Sequence, residues 1–503
     1  MNLATKLLSE LDTPGLSLNA RARLRCRLAR QLEESGDYSA AQDALAELWQ
    51  GVGARPMLEG LDEETKAEVL LRAGALTGWI GSACQIEGSQ ETAKDLITES
   101  LRTFEQLDQR RKVGEAQSDL ALCYWRLGAY DEARITLKLA LDEFSDSDTG
   151  LTAIALLRRA EVERSSASLN EALLTYKQAA PLFDEVNQHY LAATFHVGFA
   201  SVLNQLSENR KEYVDLALIE YAAASFHFEQ AGHGRYHACV ENNLGLLYST
   251  IGKFEDAHEH LDRAQMLMTR LKDNVHLAQV DETRARVLLA QGRIVEAERT
   301  ARAAVRRLEK GDELSLLAEA LTTHGIVLAR LDHLEQSQAV LDRAITVAEN
   351  AGDFQSAGVA ALSAIELLGA NLSGENVCAT MDHIGVLLDT TRDTAILRRL
   401  ARAFQSLYLA QATPATPDWT NFSFRRLVLQ YEADLITLAL NETGGAVTKA
   451  ARLLGFSHHQ SLTAIIATRH KELLAKRLPV RKRRQHLIAH PKRKKRQIDS
   501  LSD

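Results

Sequence analysis

One spacing constrains this chain more than any other feature. Small residues recur at Ala93, Ala133, Ala172, Ala217, Ala257, Ala297 and Ser337, with steps of 40, 39, 45, 40, 40 and 40 residues. Around them one pattern repeats: GAYDEARITLKLA from Gly128, GKFEDAHEHLDRA from Gly252, GRIVEAERTARAA from Gly292 and DHLEQSQAVLDRA from Asp332. Each copy has an aromatic or aliphatic residue two after its first position, a small residue five after and Ala twelve after. Gly88 opens a weaker copy. Two copies, at Ala172/Ala179 and Ala217/Ala224, lack the opening Gly. An outlying copy, GDYSAAQDALAEL, starts at Gly36, and an insertion over Gln50 to Gly60 accounts for the step of 52 from Ala41 to Ala93. A fixed period in this range is the signature of stacked helix pairs. One pair cannot bury its own apolar face, so neighbouring pairs must supply the core. Strand signals are nearly absent, and only 7 prolines occur in 503 residues. The expected fold is all-α, an α-solenoid of helix pairs with a period of about 40 residues.

The small-residue pattern resembles the tetratricopeptide repeat, with Gly at the turn between helices A and B and small residues where B packs on A and on the next unit. Helix A is recognisable upstream of each turn, as AQSDLALCYWRL before Gly128 and CVENNLGLLYST before Gly252. The usual period of that repeat is about 34, so each unit here has roughly six extra residues in helices or loops. The resemblance implies a superhelix with a concave face lined by A helices. Asn242 and Asn243 lie on such a helix, and asparagines there hold the backbone of a peptide ligand in tetratricopeptide receptors, which makes these two the candidate ligand groove. The array is expected over residues 1–410, with clear repeats at about 75–350 and degenerate or capping helices over 351–410. Residues 411–421, with Pro414 and Pro417 in a polar stretch, read as a linker.

Charge divides the chain. The formal net charge is −8. Asn421 to Asp503 holds 17 Lys+Arg against 6 Asp+Glu, which leaves 42 against 61 for residues 1–420. A basic tail on an acidic body directs nucleic acid to the tail alone.

Within that tail, Tyr431 to Lys471 contains three helical runs. The first covers Phe424 to Asn441, with Leu427, Leu435, Leu438 and Ala439 at helical spacing, and stops at Thr443, Gly444 and Gly445. The second is short, about Ala446 to Leu454. The third follows a turn at Gly455 and Phe456, with Ser457 as its expected N-cap. Two short helices joined by a glycine turn, with Ala450 and Ala451 at the close approach, form a helix-turn-helix whose second helix enters the DNA major groove. Leu454, Leu462, Ile465 and Ile466 are expected in its core. Ser457, His458, His459, Gln460, Ser461 and Thr463 are then left facing base edges. Gln pairs bidentately with adenine, and Ser or Thr serves several bases.

The stretch ETGGAVTKAARLLGFS resembles the Fis-type DNA-binding domain, in which a glycine-ended helix is followed by T-K/R-A-A-x-x-L-G-I/F-S/T. Thr448, Lys449, Ala450, Ala451, Leu454, Gly455, Phe456 and Ser457 match that pattern. Here four residues, His458 to Ser461, precede the core Leu462 where the family has three. The resemblance implies that Thr448 and Lys449 touch phosphates and that the helix over 424–440 pairs two copies as a homodimer. Beyond it, 13 basic residues against one acidic occur from Arg469 to Arg496. Arg469, Lys471, Arg481, Lys482, Arg483 and Arg484 are expected on phosphates, where contacts set register and read no sequence. The domain is expected over residues 422–478 and a basic disordered tail over 479–503.

Other chemistry is missing. There is no G-x-x-x-x-G-K-S/T or G-x-G-x-x-G phosphate loop, no G-x-S-x-G and no H-E-x-x-H. His258, Glu259 and His260 read as surface residues, and neither they nor His233 and His237, the first in a turn between Gly232 and Gly234, read as metal ligands. The five cysteines lack metal spacing and read as buried thiols. The N-terminus is unlike a signal peptide, and no apolar run is long enough to span a membrane. The chain is therefore expected to be no enzyme, to need no cofactor, and to act in the cytoplasm, nucleoid-associated, as a regulator. Its partners are double-stranded DNA and a protein, peptide or small ligand on the array. The alternative is a scaffold whose basic tail only tethers it to nucleic acid or to an acidic partner.

Overall fold

A computed structural model describes residues 3–11, 13–183, 188–207, 210, 212–369, 374–412 and 423–476. Among them are 23 α-helices and no strand. Two compact units are present, Met1–Tyr408 and Leu409–Asp503.

In the first unit α1 (Leu3–Leu11) precedes nine helix pairs. They are α2/α3 (Leu18–Glu34, Tyr38–Leu45), α4/α5 (Glu63–Ala83, Ser89–Gln106), α6/α7 (Arg110–Arg126, Tyr130–Glu143), α8/α9 (Thr149–Ser165, Leu169–Phe183) and α10/α11 (His189–Leu206, Glu212–Gln230), followed by α12/α13 (Gly234–Thr250, Phe254–Leu271), α14/α15 (Asn274–Ala290, Ile294–Leu308), α16/α17 (Leu314–Arg330, Leu334–Asn350) and α18/α19 (Phe354–Leu368, Gly374–Leu387). The last helix of the series is α20 (Thr394–Ala412). It covers the expected capping helix and extends through residues 411 and 412 of the expected linker; 413–421 lie outside the described residues, as does the tail beyond 476. The outlying copy at Gly36 is a true helix pair. The insertion after it is a loop pinned by Trp49, buried, whose indole N–H donates to the Ala54 carbonyl at 2.9 Å.

The repeat spacing has a simple physical origin. All eight anchors, Ala41 through Ser337, have no exposed surface. Each lies where a B helix crosses its own A helix. Twelve residues before seven of them stands another small, buried residue on helix A: Ala29, Gly81, Ala121, Ala160, Gly245, Ala285 and Gly325. The exception proves the geometry. Before Ala217 the turn is five residues longer, matching the step of 45, and the partner is Ala200, seventeen residues back and fully buried. Helix axes that pack with such residues at the crossing approach closely, and a larger side chain at that point must displace a neighbour. Where Ser337 replaces the usual Ala, its hydroxyl donates to the Gly325 carbonyl at 2.8 Å, so the buried oxygen is satisfied.

Five residues before every anchor but Ala217 the chain turns with positive φ. Gly128 has φ +76°, and Ala167 and Asp332 hold the same conformation at +59° and +63° in copies that lack the glycine. A side chain in this region costs about 1–2 kcal/mol, a strain the flanking helices hold in place.

A Cβ on Gly325 would lie 2.6 Å from Leu341 Cγ. Gly325→Ala is therefore expected to destabilise the array by about 1–3 kcal/mol, read from the urea midpoint. Leu341→Ala in the same chain should add less than its own separate cost, because the two share one gap.

Candidate DNA interface and the interior of the array

The second unit is built from α21 (Phe424–Glu442), α22 (Val447–Leu453) and α23 (His459–Arg469), with a short 3-10 turn over Lys471–Lys476. Glycine sets both junctions. After α21, Gly445 (φ +79°) donates its N–H to the Leu440 carbonyl at 2.7 Å. After α22, Gly455 (φ +76°) lets Phe456 N–H return to the Ala451 carbonyl at 2.9 Å. These are left-handed helix ends that need a residue without Cβ.

The core between the helices is Ile436, Ala439, Leu440, Ala450, Ala451, Leu462 and Ile466, closed by Leu473. Leu454 and Ile465, expected in the core, are half-buried against it. Leu435 and Leu438, read from periodicity, are on the outside of α21. The described N-cap of α23 is His458 and not Ser457, and it makes no side-chain cap bond. The extra residue is thereby placed ahead of the helix, and Leu462 still reaches full burial.

Ser457, His458, His459, Gln460 and Ser461 are all exposed at the N-terminal end of α23. Thr463 is half-buried, and its hydroxyl donates to the His459 carbonyl at 3.0 Å. At 100° per residue, the side of α23 opposite Leu462 and Ile466 carries Gln460, Ala464 and Ala467, with Thr468 beside them, and all four are exposed. Ala464, Ala467 and Thr468 escaped the sequence reading because alanine carries no polar signal. The helical phase that buries Leu462 would have pointed to them. Thr448 and Lys449 are exposed on the first turn of α22. Arg469 is tied to Glu432 of α21 at 3.1 Å, beside buried His470, which bonds the same carboxylate at 3.0 Å. Lys471 is exposed. Arg481, Lys482, Arg483 and Arg484 lie outside the described residues.

With this geometry in hand the comparisons are specific. Residues 429–460 match the model of the Fis family of bacterial regulatory proteins, and residues 114–145 match the tetratricopeptide repeat. The chain joins a tetratricopeptide-repeat array to a Fis-family helix-turn-helix. Both matched families are non-catalytic in kind. The Fis-family match ends at Gln460, two residues into α23. No curated protein sequence is similar to the chain. Among solved structures, the apo form of the quorum sensor NprR from B. thuringiensis shares the array's fold, at 14% identity over 68% of this chain and 91% of that one, with a TM-score of 0.50. A tetratricopeptide repeat protein from Parabacteroides merdae ATCC 43184 is similar at 15% identity over 58% of this chain and 98% of that one, TM-score 0.42. So is aspartyl phosphate phosphatase F from Bacillus subtilis, at 11% identity over 69% and 88%, TM-score 0.46. No helix among the described residues is long and apolar enough to cross a membrane.

The tetratricopeptide-repeat array has an interior of its own. Arg72 of α4, almost wholly buried, bonds Glu33 at 2.8 Å, Glu115 at 2.9 Å and Asp119 at 2.8 Å. Arg30 reaches Glu115 at 2.9 Å, Arg158 reaches Asp119 at 2.6 Å and Lys112 reaches Glu115 at 3.1 Å. Four A helices, α2, α4, α6 and α8, are thus cross-linked by charge. Three cavities follow the same helices, of about 570, 40 and 200 Å³. Asn242 and Asn243, on α12, are half-buried and line none of these three; the Asn242 side-chain oxygen is buried without a partner.

Histidines and cysteines differ from expectation in part. His260 is not a surface residue: it is half-buried, stacks on Tyr248 and bonds Glu241 at 2.9 Å. His258, likewise half-buried, bonds Gln291 at 3.0 Å. Cys26 and Cys123 are buried, whereas Cys84 and Cys378 are exposed, because they stand at or near helix ends that no neighbouring element covers.

The charge network sets a pH dependence. Burial pushes the Glu115 carboxyl up, but Arg30, Arg72 and Lys112 together outweigh it and hold it down at about 2, against 4.5 ordinarily. Glu33 goes the other way, because burial outweighs Arg72. A carboxylate held low contributes stability above its unfolded value and loses it as pH falls toward the folded one. The Glu115 contribution to array stability should therefore decline from about pH 4.5 downward, with Glu33 opposing it. Glu115→Gln should flatten that decline while costing about 3 kcal/mol at pH 7, as urea midpoints across pH 3–7 would record.

Proposed function

We propose that this chain is a DNA-binding transcriptional regulator, acting in the cytoplasm on the nucleoid. Its array (residues 1–410) receives a protein, peptide or small-ligand signal, and its helix-turn-helix (422–478) reads a pseudo-palindromic site. The observation that carries the reading is the polar, exposed N-terminal end of α23 in a Fis-family match, held by a core that leaves its outer face exposed. In the major groove Gln460 is placed to pair with adenine, and the methyl groups of Ala464 and Ala467 to meet thymine methyls. Ser457, His458, His459 and Ser461 complete the base-facing set, with Thr463 contributing mainly its methyl. Thr448, Lys449 and Lys471 contact phosphates, joined by Arg469 and by Arg481 to Arg484 of the basic tail. Asn242 and Asn243 remain candidates for the array's ligand.

Dimerisation follows from α21. Phe424, Val428, Tyr431, Leu435 and Leu438 recur at alternating steps of four and three, and each is 40% exposed or more. That spacing and exposure suit the seam of a two-helix coiled coil between two copies. Pairing two copies there sets two recognition helices on successive major grooves, about 34 Å apart.

Selection of bound duplexes from a random pool by the full chain should return a two-fold-related motif. Gln460→Ala should weaken binding to the selected site by about 1–3 kcal/mol and relax preference at one position per half-site. Leu438→Glu should yield a monomer by sedimentation and a large loss of affinity. A pool that emerges unenriched would remove the regulator reading. Affinity lost only on deleting Arg481 to Arg496, and untouched by Gln460→Ala, would favour the tethered scaffold.

A further inference from the structure

The first helix pairs of the array are joined back on themselves. The turn between α2 and α3 returns onto α10 and α12. Glu34 accepts from Gln188 at 2.9 Å, the Ser35 carbonyl meets His233 Nε2 at 2.6 Å, and the Tyr190 ring lies so close to Gly36 that a Cβ there would come within 2.7 Å. These contacts join residues 154 and 198 positions apart in the chain. An open superhelix has no such contact between distant pairs, whereas this clasp joins the first helix pair to pairs far along the chain.

Under the clasp is the cavity of about 200 Å³. Its walls are aromatic and aliphatic, with Tyr38, Trp79, Trp125 and Tyr190 opposite Leu122, Ile154, Leu157 and Leu191. Four charged groups also reach it, and every one is already paired. Glu33 is held by Arg72 at 2.8 Å, Glu34 by Arg30 at 2.8 Å, Arg158 by Asp119 at 2.6 Å and Glu161 by Arg164 at 2.7 Å. Trp79 is fixed by Tyr38, stacked 5.0 Å away, and by the Arg126 guanidinium 4.1 Å from its ring centroid. A charged guest would lose its water here and find no unpaired counter-charge. An uncharged apolar guest gains dispersion contacts with walls that otherwise face a void. The volume exceeds the ~150 Å³ that admits benzene in an apolar protein cavity.

We propose that this cavity is a binding site for a small, uncharged aromatic molecule, of one or two fused rings, enclosed by the Glu34–Gly36 clasp. This rests on the reading of the array as the ligand-binding half of the chain. The wider cavity of about 570 Å³, with Arg27, Arg111 and Gln188 in its lining, shares Glu34, Ile154 and Leu191 with the aromatic one. It is the entry path, and it accommodates a polar substituent on the same guest.

The test uses the full chain and three probes of one shape and different charge: 2-naphthol, 2-naphthalenesulfonate and 2-naphthylmethylammonium. Calorimetry at pH 7 should give one saturable 2-naphthol site per chain. Both ions should bind at least about tenfold more weakly. Leu157→Trp fills the cavity from within and Thr194→Phe from its wall. A folded chain of either kind, checked by circular dichroism, should lose the site. The inference is overturned by an absent site, by an ion that binds as well as the naphthol, or by a folded filled variant that binds unchanged. Duplex selection by the same preparation separates the two readings. A chain that selects its site but takes no naphthol overturns only this inference. One that takes naphthol but selects no duplex overturns only the regulator.

Discussion

The close approach of paired helices at small residues is the contact on which the rest of this structure depends. At each crossing an Ala or Ser of helix B meets an Ala or Gly of helix A, and both are buried. Nothing at these positions is chemically active. Their work is steric: they set how near two axes can come, and so where every other side chain on the pair is directed. Because each pair repeats the same crossing, A helices accumulate on one side of the array, which is where the charge network and the cavities are found. A single enlarged residue would tilt its pair and misalign that shared wall.

The charge network is a second layer built on this frame. Burying Arg72 among three carboxylates is costly unless every partner is in position, and the partners come from two other helices, α2 and α6. Such a cluster is poor evidence for added stability but strong evidence for a single arrangement. It sets α2, α4, α6 and α8 in register, and the clasp at Glu34–Gly36 then joins that register to α10 and α12. These long-range contacts agree with one another, and so they hold one arrangement of the pairs. The helix-turn-helix uses the same physics at smaller scale. Ala450 and Ala451 permit the approach, glycines turn the chain, and Glu432 anchors the end of α23 through Arg469 and buried His470.

Much of this was legible in the residues. The anchors Ala41 to Ser337 are read directly off the sequence, and all of them prove fully buried. The helix-A partners twelve residues upstream carry the same period and were equally readable, though alanine is so common on these helices that the eye passes over it. In the DNA-binding unit Leu462 and Ile466 were foreseen in the core. The N-cap was not, since a serine one residue too early is chemically as good a cap as any. Leu435 and Leu438 share helical spacing with Ala439 but not its burial. Their stripe and that of Ile436, Ala439 and Leu440 are two faces of one helix, and sequence cannot tell which of two apolar faces a single copy buries.

By itself the sequence determined the repeat, the helix pairs, the glycine-ended turns and the polar end of α23, because each depends on contacts within about forty residues and leaves a periodic mark. Only the tertiary structure decided that Arg72 gathers Glu33, Glu115 and Asp119, that Tyr190 closes on Gly36, and that four aromatic rings meet over one cavity. Those groups are separated by tens to hundreds of positions. Pairing at such distances follows from the summed curvature of many units, a quantity that no local pattern of residues encodes.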